Sequence, residues 1–302
     1  MVTDKLIDAI IATQNPTCVG LDTLFDYLPD DMKAGAKTFE DVAERVLEFN
    51  KKLVDNICDI VPSVKVQIAY YEMYGHAGMK AYEETLKYAK QKGLYVIADA
   101  KRNDIGSTAS CYAKAFLGET QVNDNQISAF PSDYVTVNGY LGSDGILPFV
   151  EECEKNEKGI FVLVKTSNPS GAEIQNVVLD NGTPMYEYVG GLVEKWGEST
   201  VGKYGYSAVG AVVGATHPTE STRLREILPH TFFLIPGYGA QGGKAEMLKN
   251  CFGKDGLGGV VNNSRGILCA YKKDGGIYYE SARNACIAMQ KDLASVIGKM
   301  GR

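Results

Sequence analysis

The chain has 302 residues, of which 45% are hydrophobic and 23% are charged, and its formal net charge is −6. The composition is ordinary for a globular enzyme, and the length suits one large α/β domain or two smaller ones. Because the net charge is negative, neither nucleic acid nor an anionic membrane surface is expected as a partner.

The seven cysteines and the N-terminal segment bear on the compartment. The cysteine count is odd and no two cysteines form a C-x-x-C pair, which argues against both a zinc site and a disulfide framework. The N-terminal residues lack the apolar core of a signal peptide, and no run approaches the roughly 18 apolar residues of a membrane span. We therefore expect a cytoplasmic protein with reduced thiols, no metal and no membrane partner.

Eight short runs of apolar and β-branched residues are spread along the chain. Most are almost continuously apolar, as is typical of strands that are buried on both faces of a parallel sheet. The runs cover residues 17–21, 63–68, 94–98, 133–137, 159–164, 207–213, 231–235 and 257–261.

Amphipathic segments between these runs predict helices. The first helix is expected to be capped by Thr38, with Asp41 three residues later in a relative of the capping box. Further helices are predicted over residues 77–91, 144–154, 185–203, 218–227, 245–251 and 281–299. The alternation of eight strands with helices, without a linker, predicts a (β/α)8 TIM barrel, an α/β fold in which residues 1–302 form a single catalytic domain.

Two segments look like insertions at the catalytic face of such a barrel. Residues 22–38 follow the first run and residues 168–184 follow the fifth, so both leave the carboxyl end of a strand. The second segment is rich in Asn, Pro, Ser and Gly, which is typical of a mobile lid and equally of a plain surface loop.

Polar residues stand at or just after the carboxyl ends of most predicted strands. Any one of them is as readily explained by a solvated loop, but side chains at these strand ends converge on one pocket in a barrel. The residues are Asp22, Lys65, Asp99, Lys101, Asn138, Lys165, Ser167, Gln241, Asn262 and Arg265.

The densest group of charges is Asp99-Ala-Lys101-Arg-Asn-Asp104, directly after the apolar run 94–98. Charges this close to a buried strand are costly to desolvate unless they pair with one another. Neighbouring charges that set each other's protonation are typical of active sites. A purely structural ion-pair network is the alternative that this cluster alone leaves open.

A glycine-rich stretch follows the seventh run. Residues 237–242 match G-x-G-x-x-G, but the match lies near the C-terminus and no acidic residue ends the next strand, which argues against a dinucleotide site. In barrels the loops after strands seven and eight bind phosphate instead. Glycines let the backbone approach the anion, Gln241 can donate an amide hydrogen, and Arg265 can grip the phosphate.

Taken together, these elements resemble the orotidine 5′-phosphate decarboxylase family, most closely its longer bacterial-type branch. The resemblance runs from the first predicted strand to the eighth. The chain departs from the branch at Gly139, where proline is expected, and segment 168–184 is also individual. The motifs that carry the resemblance are G-L-D at Asp22, V-K-V at Lys65, D-x-K-x-x-D at Asp99, Lys101 and Asp104 with Thr108, T-V-N at Asn138, K-T-S-N-P at Ser167, V-G-A-T at 213–216, P-G-Y-G-A-Q-G-G at 236–243, and Arg265.

The resemblance implies decarboxylation of orotidine 5′-phosphate to uridine 5′-phosphate without a cofactor. It implies that Lys101 protonates C6 of the pyrimidine as carbon dioxide leaves, and that Asp99 lies beside the substrate carboxylate. Lys65 is then expected to bind a ribose hydroxyl and to hold Asp99 ionised. Alternating charges at these three residues and Asp104 are expected to keep all four ionised.

The resemblance also implies a homodimer and a set of binding residues. Asp104 and Thr108 are expected to reach into the site of the partner subunit. Asp22 is expected to bind a ribose hydroxyl and Ser167 the edge of the pyrimidine. The remaining expected substrate-binding residues are Asn138, Gly237, Gly239, Gln241, Ser264 and Arg265.

Three other functions compete with this interpretation. A metal-dependent sugar-phosphate decarboxylase or aldolase on the same scaffold is expected to carry an acidic residue after strand two, where this chain has Lys65. A Schiff-base aldolase would use Lys101 or Lys165 as its nucleophile. Such a lysine needs a depressed pKa, and the two aspartates that flank Lys101 oppose this. A non-catalytic nucleotide-binding barrel is the third.

Overall fold

In the computed structural model, which describes residues 1–239 and 242–301, eight parallel strands close into a barrel. Each strand pairs with the next along the chain, and the last pairs with the first. Every predicted run overlaps one of these strands, so the prediction of a (β/α)8 barrel is confirmed. The strands are β1 (Thr17–Gly20), β2 (Ser63–Gln67), β3 (Tyr95–Arg102), β4 (Tyr134–Val137), β5 (Gly159–Lys165), β6 (Val209–Val213), β7 (Phe233–Ile235) and β8 (Gly259–Asn263).

Helices surround the barrel and link its strands. The long helices are Val2–Thr13, Phe39–Ile57, Gly75–Gln91, Gly106–Leu117, Ser143–Asn156, Met185–Trp196, Pro218–Ile227 and Tyr278–Ile297. Four-residue helices are Asp30–Lys33, Ala69–Glu72, Ala172–Gln175, Ala245–Leu248, Arg265–Leu268 and Tyr271–Asp274. Single 3-10 turns cover Phe25–Tyr27, Gly139–Leu141, Pro169–Gly171, Glu198–Thr200 and Lys249–Cys251.

Each predicted helix overlaps an observed one, but several bounds differ. Residues 245–251 form the short helix Ala245–Leu248 and a 3-10 turn, and the last helix covers Tyr278–Ile297 where 281–299 was predicted. Thr38 caps its helix with a full capping box, in which the side chain of Asp41 also accepts from the Thr38 N–H. The prediction for 185–203 is wrong beyond Trp196, where Gly197 ends the helix. The sequence interpretation also lacked the helices Val2–Thr13 and Gly106–Leu117, and the hairpin that Thr120–Val122 forms with Asn125–Ile127.

Apolar side chains fill the amino-terminal half of the barrel and close that end. The rings of Tyr134 and Phe161 stack inside it with centroids 4.9 Å apart. The helix Val2–Thr13 packs beneath them, and the Thr3 hydroxyl donates to the Ser207 carbonyl at 3.0 Å. With this end filled, the open space within the barrel lies at the carboxyl ends of the strands.

Candidate active site

A cavity of about 430 Å³ opens at the carboxyl ends of the barrel strands. It is bordered by both polar and apolar side chains, as small-molecule sites usually are. Its lining residues are Asp22, Tyr27, Lys65, Gln67, Tyr70, Asp99, Lys101, Thr136, Leu163, Thr166, Ser167, Asn168, Val212, Leu234, Pro236, Gly237, Tyr238, Asn262, Asn263, Ser264 and Arg265.

A chain of ion pairs crosses the floor of the cavity. Lys65 Nζ lies 3.0 Å from Asp22 Oδ1 and 2.9 Å from Asp99 Oδ2. Lys101 Nζ lies 2.6 Å from Asp99 Oδ1. Within one protomer, the second carboxylate of the alternating charges is therefore that of Asp22. Among the described residues, Asp104 forms no ion pair with Lys65 or Lys101.

Strand register brings these charges together. Gly20 at the end of β1 pairs with Lys65, and Gln67 at the end of β2 pairs with Asp99. Because side chains alternate along a strand, Lys65 and Gln67 share one face. The Gln67 amide accordingly donates to Asp99 Oδ2 at 2.9 Å.

An irregularity in β3 directs Lys101 towards the cavity. The pairing with β4 shifts between Ala98 and Arg102, and Lys101 takes a left-handed backbone conformation with φ 47°. This conformation is unfavourable for a residue with a Cβ, so neighbouring contacts must hold it. Thr136 does so, since its hydroxyl accepts from the Lys101 N–H at 3.0 Å and donates to Asp99 Oδ1 at 2.8 Å.

Burial and ion pairing have opposite effects on the pKa values of Asp99 and Lys65. Burial alone would raise the pKa of the Asp99 carboxyl, but the ammonium groups of Lys65 and Lys101 outweigh it and lower that pKa far below its usual range. Burial alone would lower the pKa of Lys65, but the carboxylates of Asp22 and Asp99 outweigh it and raise that pKa. Both residues are thus ionised at neutral pH.

The phosphate-binding segments predicted after β7 and β8 border the other side of the cavity. Gly237 and Arg265 line it, and Gly237 and Gly239 have φ values of 99° and 73°, a region that favours glycine. Gln241 lies outside the described residues. The Ser264 hydroxyl donates to Asp22 Oδ2 at 2.8 Å, which joins this side of the cavity to the ion pairs.

Close contact between β1 and the end of β8 brings the Ser264 hydroxyl within hydrogen-bond distance of Asp22. A Cβ at Gly20 would lie only 1.8 Å from Ser264 Oγ. Any larger residue at position 20 would therefore displace Ser264 from the carboxylate of Asp22.

Ser167 reaches the cavity from the segment after β5, together with Thr166 and Asn168. The Thr216 hydroxyl donates to the Ser167 carbonyl at 3.1 Å. A Cβ at Gly214 would lie 2.8 Å from Ser167 Cα, so the backbones of the two segments are in close contact.

Four of the predicted site residues do not line this cavity. Asp104 Oδ1 accepts from the Ile105 N–H at 2.7 Å, and Thr108 is exposed on the following helix. Asn138 Oδ1 accepts from the Tyr140 N–H at 3.0 Å in the turn after β4. Gly239 is the fourth.

Lys165 also points away from the cavity. Its ammonium contacts Asn176, lies 3.8 Å from Glu220 Oε1, and lies 5.3 Å from the centre of the Tyr186 ring. The structure therefore provides no support for Lys165 as the nucleophile of a Schiff-base aldolase.

Several lining residues were missed by sequence reasoning. Gln67 and Thr136 could have been found, because each lies two residues from a position already identified on its strand, Lys65 and Asn138 respectively. Asn263 had no such signal, and among the described residues its buried Oδ1 has no hydrogen-bond partner.

The described residues offer neither a metal-binding cluster nor a membrane-spanning helix. Across residues 1–239 and 242–301, no three His, Cys, Asp or Glu side chains cluster so that they could hold a metal ion. In the same ranges no helix has the length and apolar character needed to span a membrane.

Comparisons with known proteins agree on one family. The model of the "Orotidine 5'-phosphate decarboxylase / HUMPS family" matches residues 17–274. A protein of Clostridium kluyveri named orotidine 5′-phosphate decarboxylase is 44% identical over 300 residues, which are 98% of each chain. A protein of the same name from Clostridium acetobutylicum is 42% identical, over 98% of this chain and all of its own.

A solved structure supports the same relationship. The crystal structure of a putative orotidine 5′-phosphate decarboxylase from Streptomyces avermitilis superposes with a TM-score of 0.81 at 30% sequence identity. The superposition covers 98% of this chain and 95% of the other.

Proposed function

The chain belongs to the orotidine 5′-phosphate decarboxylase family, and from that premise we propose that it converts orotidine 5′-phosphate to uridine 5′-phosphate and carbon dioxide without a cofactor. The observation that carries the proposal is the Asp22–Lys65–Asp99–Lys101 chain of ion pairs on the floor of the cavity. Residues 1–302 act as one catalytic domain in this proposal.

Lys101 is the proposed proton donor. Loss of carbon dioxide leaves negative charge on C6, and no ring position delocalises that charge well. A fixed ammonium group beside this carbon stabilises the developing charge and then supplies the proton. The Lys101 side chain is 45% exposed at the cavity, so it is accessible both to substrate and to solvent.

Asp99 is proposed to oppose the substrate carboxylate. Two like charges about 4 Å apart repel by roughly 4 kcal/mol at an effective dielectric constant near 20. Departure of carbon dioxide relieves this repulsion, which favours the reaction. Lys65 keeps Asp99 ionised while the substrate binds.

The rest of the cavity divides into binding regions for the three parts of the nucleotide. Asp22 and Lys65 bind ribose hydroxyls, and Ser167 binds the edge of the pyrimidine. Backbone N–H groups of the glycine-rich loop and the side chain of Arg265 bind the phosphate. The proposed phosphate residues are Gly237, Gly239, Gln241 and Arg265, and Ser264 is a further proposed substrate-binding residue.

We also propose that the protein is a homodimer in which Asp104 and Thr108 complete the partner's site. Both lie outside the cavity of their own protomer, at the rim of the barrel, Asp104 just before the helix Gly106–Leu117 and Thr108 in its first turn. Large apolar side chains are exposed on the same rim, including Ile105 at 55% and Tyr140 at 86%. Such exposure supports a subunit contact at this face. The seven free cysteines support a cytoplasmic location, where thiols stay reduced.

An absorbance assay tests the proposed reaction. Purified protein mixed with orotidine 5′-phosphate should change the pyrimidine absorbance as uridine 5′-phosphate forms, and excess chelator should leave the rate unchanged. A requirement for added magnesium would favour the metal-dependent alternative. Binding of uridine 5′-phosphate without any turnover would favour the non-catalytic barrel.

A further inference from the structure

A buried lysine outside the proposed mechanism lies directly behind the cavity. Lys165, the last residue of β5, is only 1% exposed. Burial of an ammonium group is unfavourable unless polar partners compensate for the lost water. Lys165 precedes Thr166 and Ser167, which line the cavity, so its contacts bear on how these two residues are held.

The partners of Lys165 come from three elements that follow β5. Asn176 Oδ1 accepts from the ammonium at the end of the short helix Ala172–Gln175. Tyr186 and Glu220 approach it from two outer helices, at 5.3 Å and 3.8 Å respectively. The ammonium thus ties the segment after β5 to the helical layer on the side away from the cavity.

Gln175, the residue before Asn176, forms two further hydrogen bonds at the same place. Gln175 Oε1 accepts from the Thr166 N–H at 3.0 Å, and Gln175 Nε2 donates to the Thr166 hydroxyl at 2.8 Å. Residues 175 and 176 therefore fold back onto residues 165 and 166. The segment between them, which carries Ser167 and Asn168 at the cavity, becomes a closed loop fixed at its base.

We propose that Lys165 is a positioning residue that acts through Asn176 to hold Ser167 against the substrate. The proposal rests on the proposed function, in which Ser167 contacts the pyrimidine. A loop fixed at its base keeps Ser167 in place without ordering at each turnover, and misplacement by about 1 Å is enough to slow an enzyme substantially. The ammonium takes part in no bond-making step.

Variants of Asn176 test the hydrogen bond between Lys165 and Asn176 without disturbing the barrel interior, because Asn176 lies at the surface. Asn176→Leu removes the acceptor and should lower kcat/KM for orotidine 5′-phosphate about tenfold. Asn176→Asp keeps an oxygen acceptor and should retain activity within about twofold. Asn181→Leu, at an exposed position in the same segment, is the matched control and should behave as wild type.

A double-mutant cycle with Ser167→Ala separates positioning from a merely structural role. If Lys165 and Asn176 act through Ser167, Asn176→Leu should lower kcat/KM less than about twofold when Ser167 is already alanine. Lys165→Met should show the same pattern, with thermal unfolding measured to verify folding. Additive losses, or an Asn176→Asp variant as slow as Asn176→Leu, would overturn the proposal. An inactive wild-type protein would instead contradict the proposed function itself.

Discussion

The two lysines of the cavity have unequal surroundings. The Lys65 side chain is 5% exposed and lies between two carboxylates, whereas the Lys101 side chain is 45% exposed and pairs with one. A proton donor has to reach the substrate carbon and then regain a proton from solvent. Lys101, which is partly exposed at the cavity, is the better suited of the two to this role, and Lys65 is better suited to hold Asp99 in its charged form. This contrast supports the proposed division of roles.

Replacing Lys101 should separate catalysis from binding. Lys101→Ala removes both the proton and the positive field at C6, so kcat should fall by at least about 10⁴-fold. Binding of uridine 5′-phosphate, measured by calorimetry, should weaken far less, because most of its contacts lie elsewhere in the cavity. Lys291→Ala, an exposed lysine on the last helix, is the control and should retain full activity. Near-normal turnover by Lys101→Ala would refute the mechanism.

The proposed role of Arg265 is to bind the phosphate group of the substrate. Arg265→Ala should lower kcat/KM for orotidine 5′-phosphate about 100-fold, since it removes charge-assisted hydrogen bonds to the phosphate. With orotidine, which lacks the phosphate, wild type and variant should have similar kcat/KM values. Steady-state kinetics with both substrates measures the difference. An equal loss with orotidine would mean that Arg265 acts on something other than the phosphate.

Asp99 should make stability depend on acid pH. Its folded-state pKa is lowered while its unfolded pKa is about 3.9, so its stabilising contribution is complete above the unfolded value and is lost as pH falls towards the folded one. Asp99→Asn should reduce the free energy of unfolding by about 3 kcal/mol at neutral pH. That difference from wild type should shrink below about pH 4.

Urea unfolding at a series of pH values and a fixed protomer concentration measures this effect. Asp124→Asn, in the exposed turn of the hairpin, is the control and should leave the pH profile unchanged. If the free energies of unfolding of Asp99→Asn and wild type differed by a constant amount across the acid range, the ion pairs of Asp99 would not make stability depend on pH.

At the scale of secondary structure, the strands are the best-predicted elements. Their apolar runs indicate burial on both faces, which in an alternating β/α chain is characteristic of a barrel. The extension of β3 through Arg102 was not predictable in this way, because residues 99–102 are mostly charged. Asp99 is held by its pairing with Gln67 of β2, and Arg102 by its pairing with Val137 of β4. Tertiary contacts there override the local pattern.

The same reasoning explains the limits of the site prediction. Asp22 and Lys65 were identifiable because strand order brings the carboxyl ends of parallel strands together. Asn176 and Gln175 were not, since their contacts depend on how segment 168–184 folds back onto β5. A loop rich in small polar residues carries no periodic pattern from which that path could be read.

The capping box of Thr38 gives an element-scale test that should leave catalysis intact. The Thr38 hydroxyl accepts from the Asp41 N–H at 3.1 Å at the start of the helix Phe39–Ile57. Thr38→Ala should lower the free energy of unfolding by about 1 kcal/mol, because it leaves a helix N–H without its cap. Thr38→Ser keeps the hydroxyl and should restore most of this loss. Chemical denaturation and kcat should be measured together, and a change in kcat would contradict a purely local role.

At the scale of the whole molecule, one protomer holds most of the proposed site but not all of it. The ion-pair chain and Arg265 line its own cavity, whereas Asp104 and Thr108 lie outside it. The stretch 101–104, at the end of β3 and just beyond it, thus carries Lys101 into the cavity and Asp104 outside it. In a symmetric dimer, such a segment would serve two sites at once, each protomer supplying the other.

Mixed dimers test whether Asp104 acts in the partner's site. Lys101→Ala and Asp104→Ala should each be nearly inactive alone. In a hybrid dimer of the two, one site would carry both substitutions, while the other would combine the Lys101 of one protomer with the Asp104 of its partner and be intact. Refolding an equal mixture should therefore restore about one quarter of wild-type activity, since half of the dimers are hybrids and each has one working site. If Asp104 acted within its own protomer, both sites of the hybrid would be defective and mixing would restore nothing.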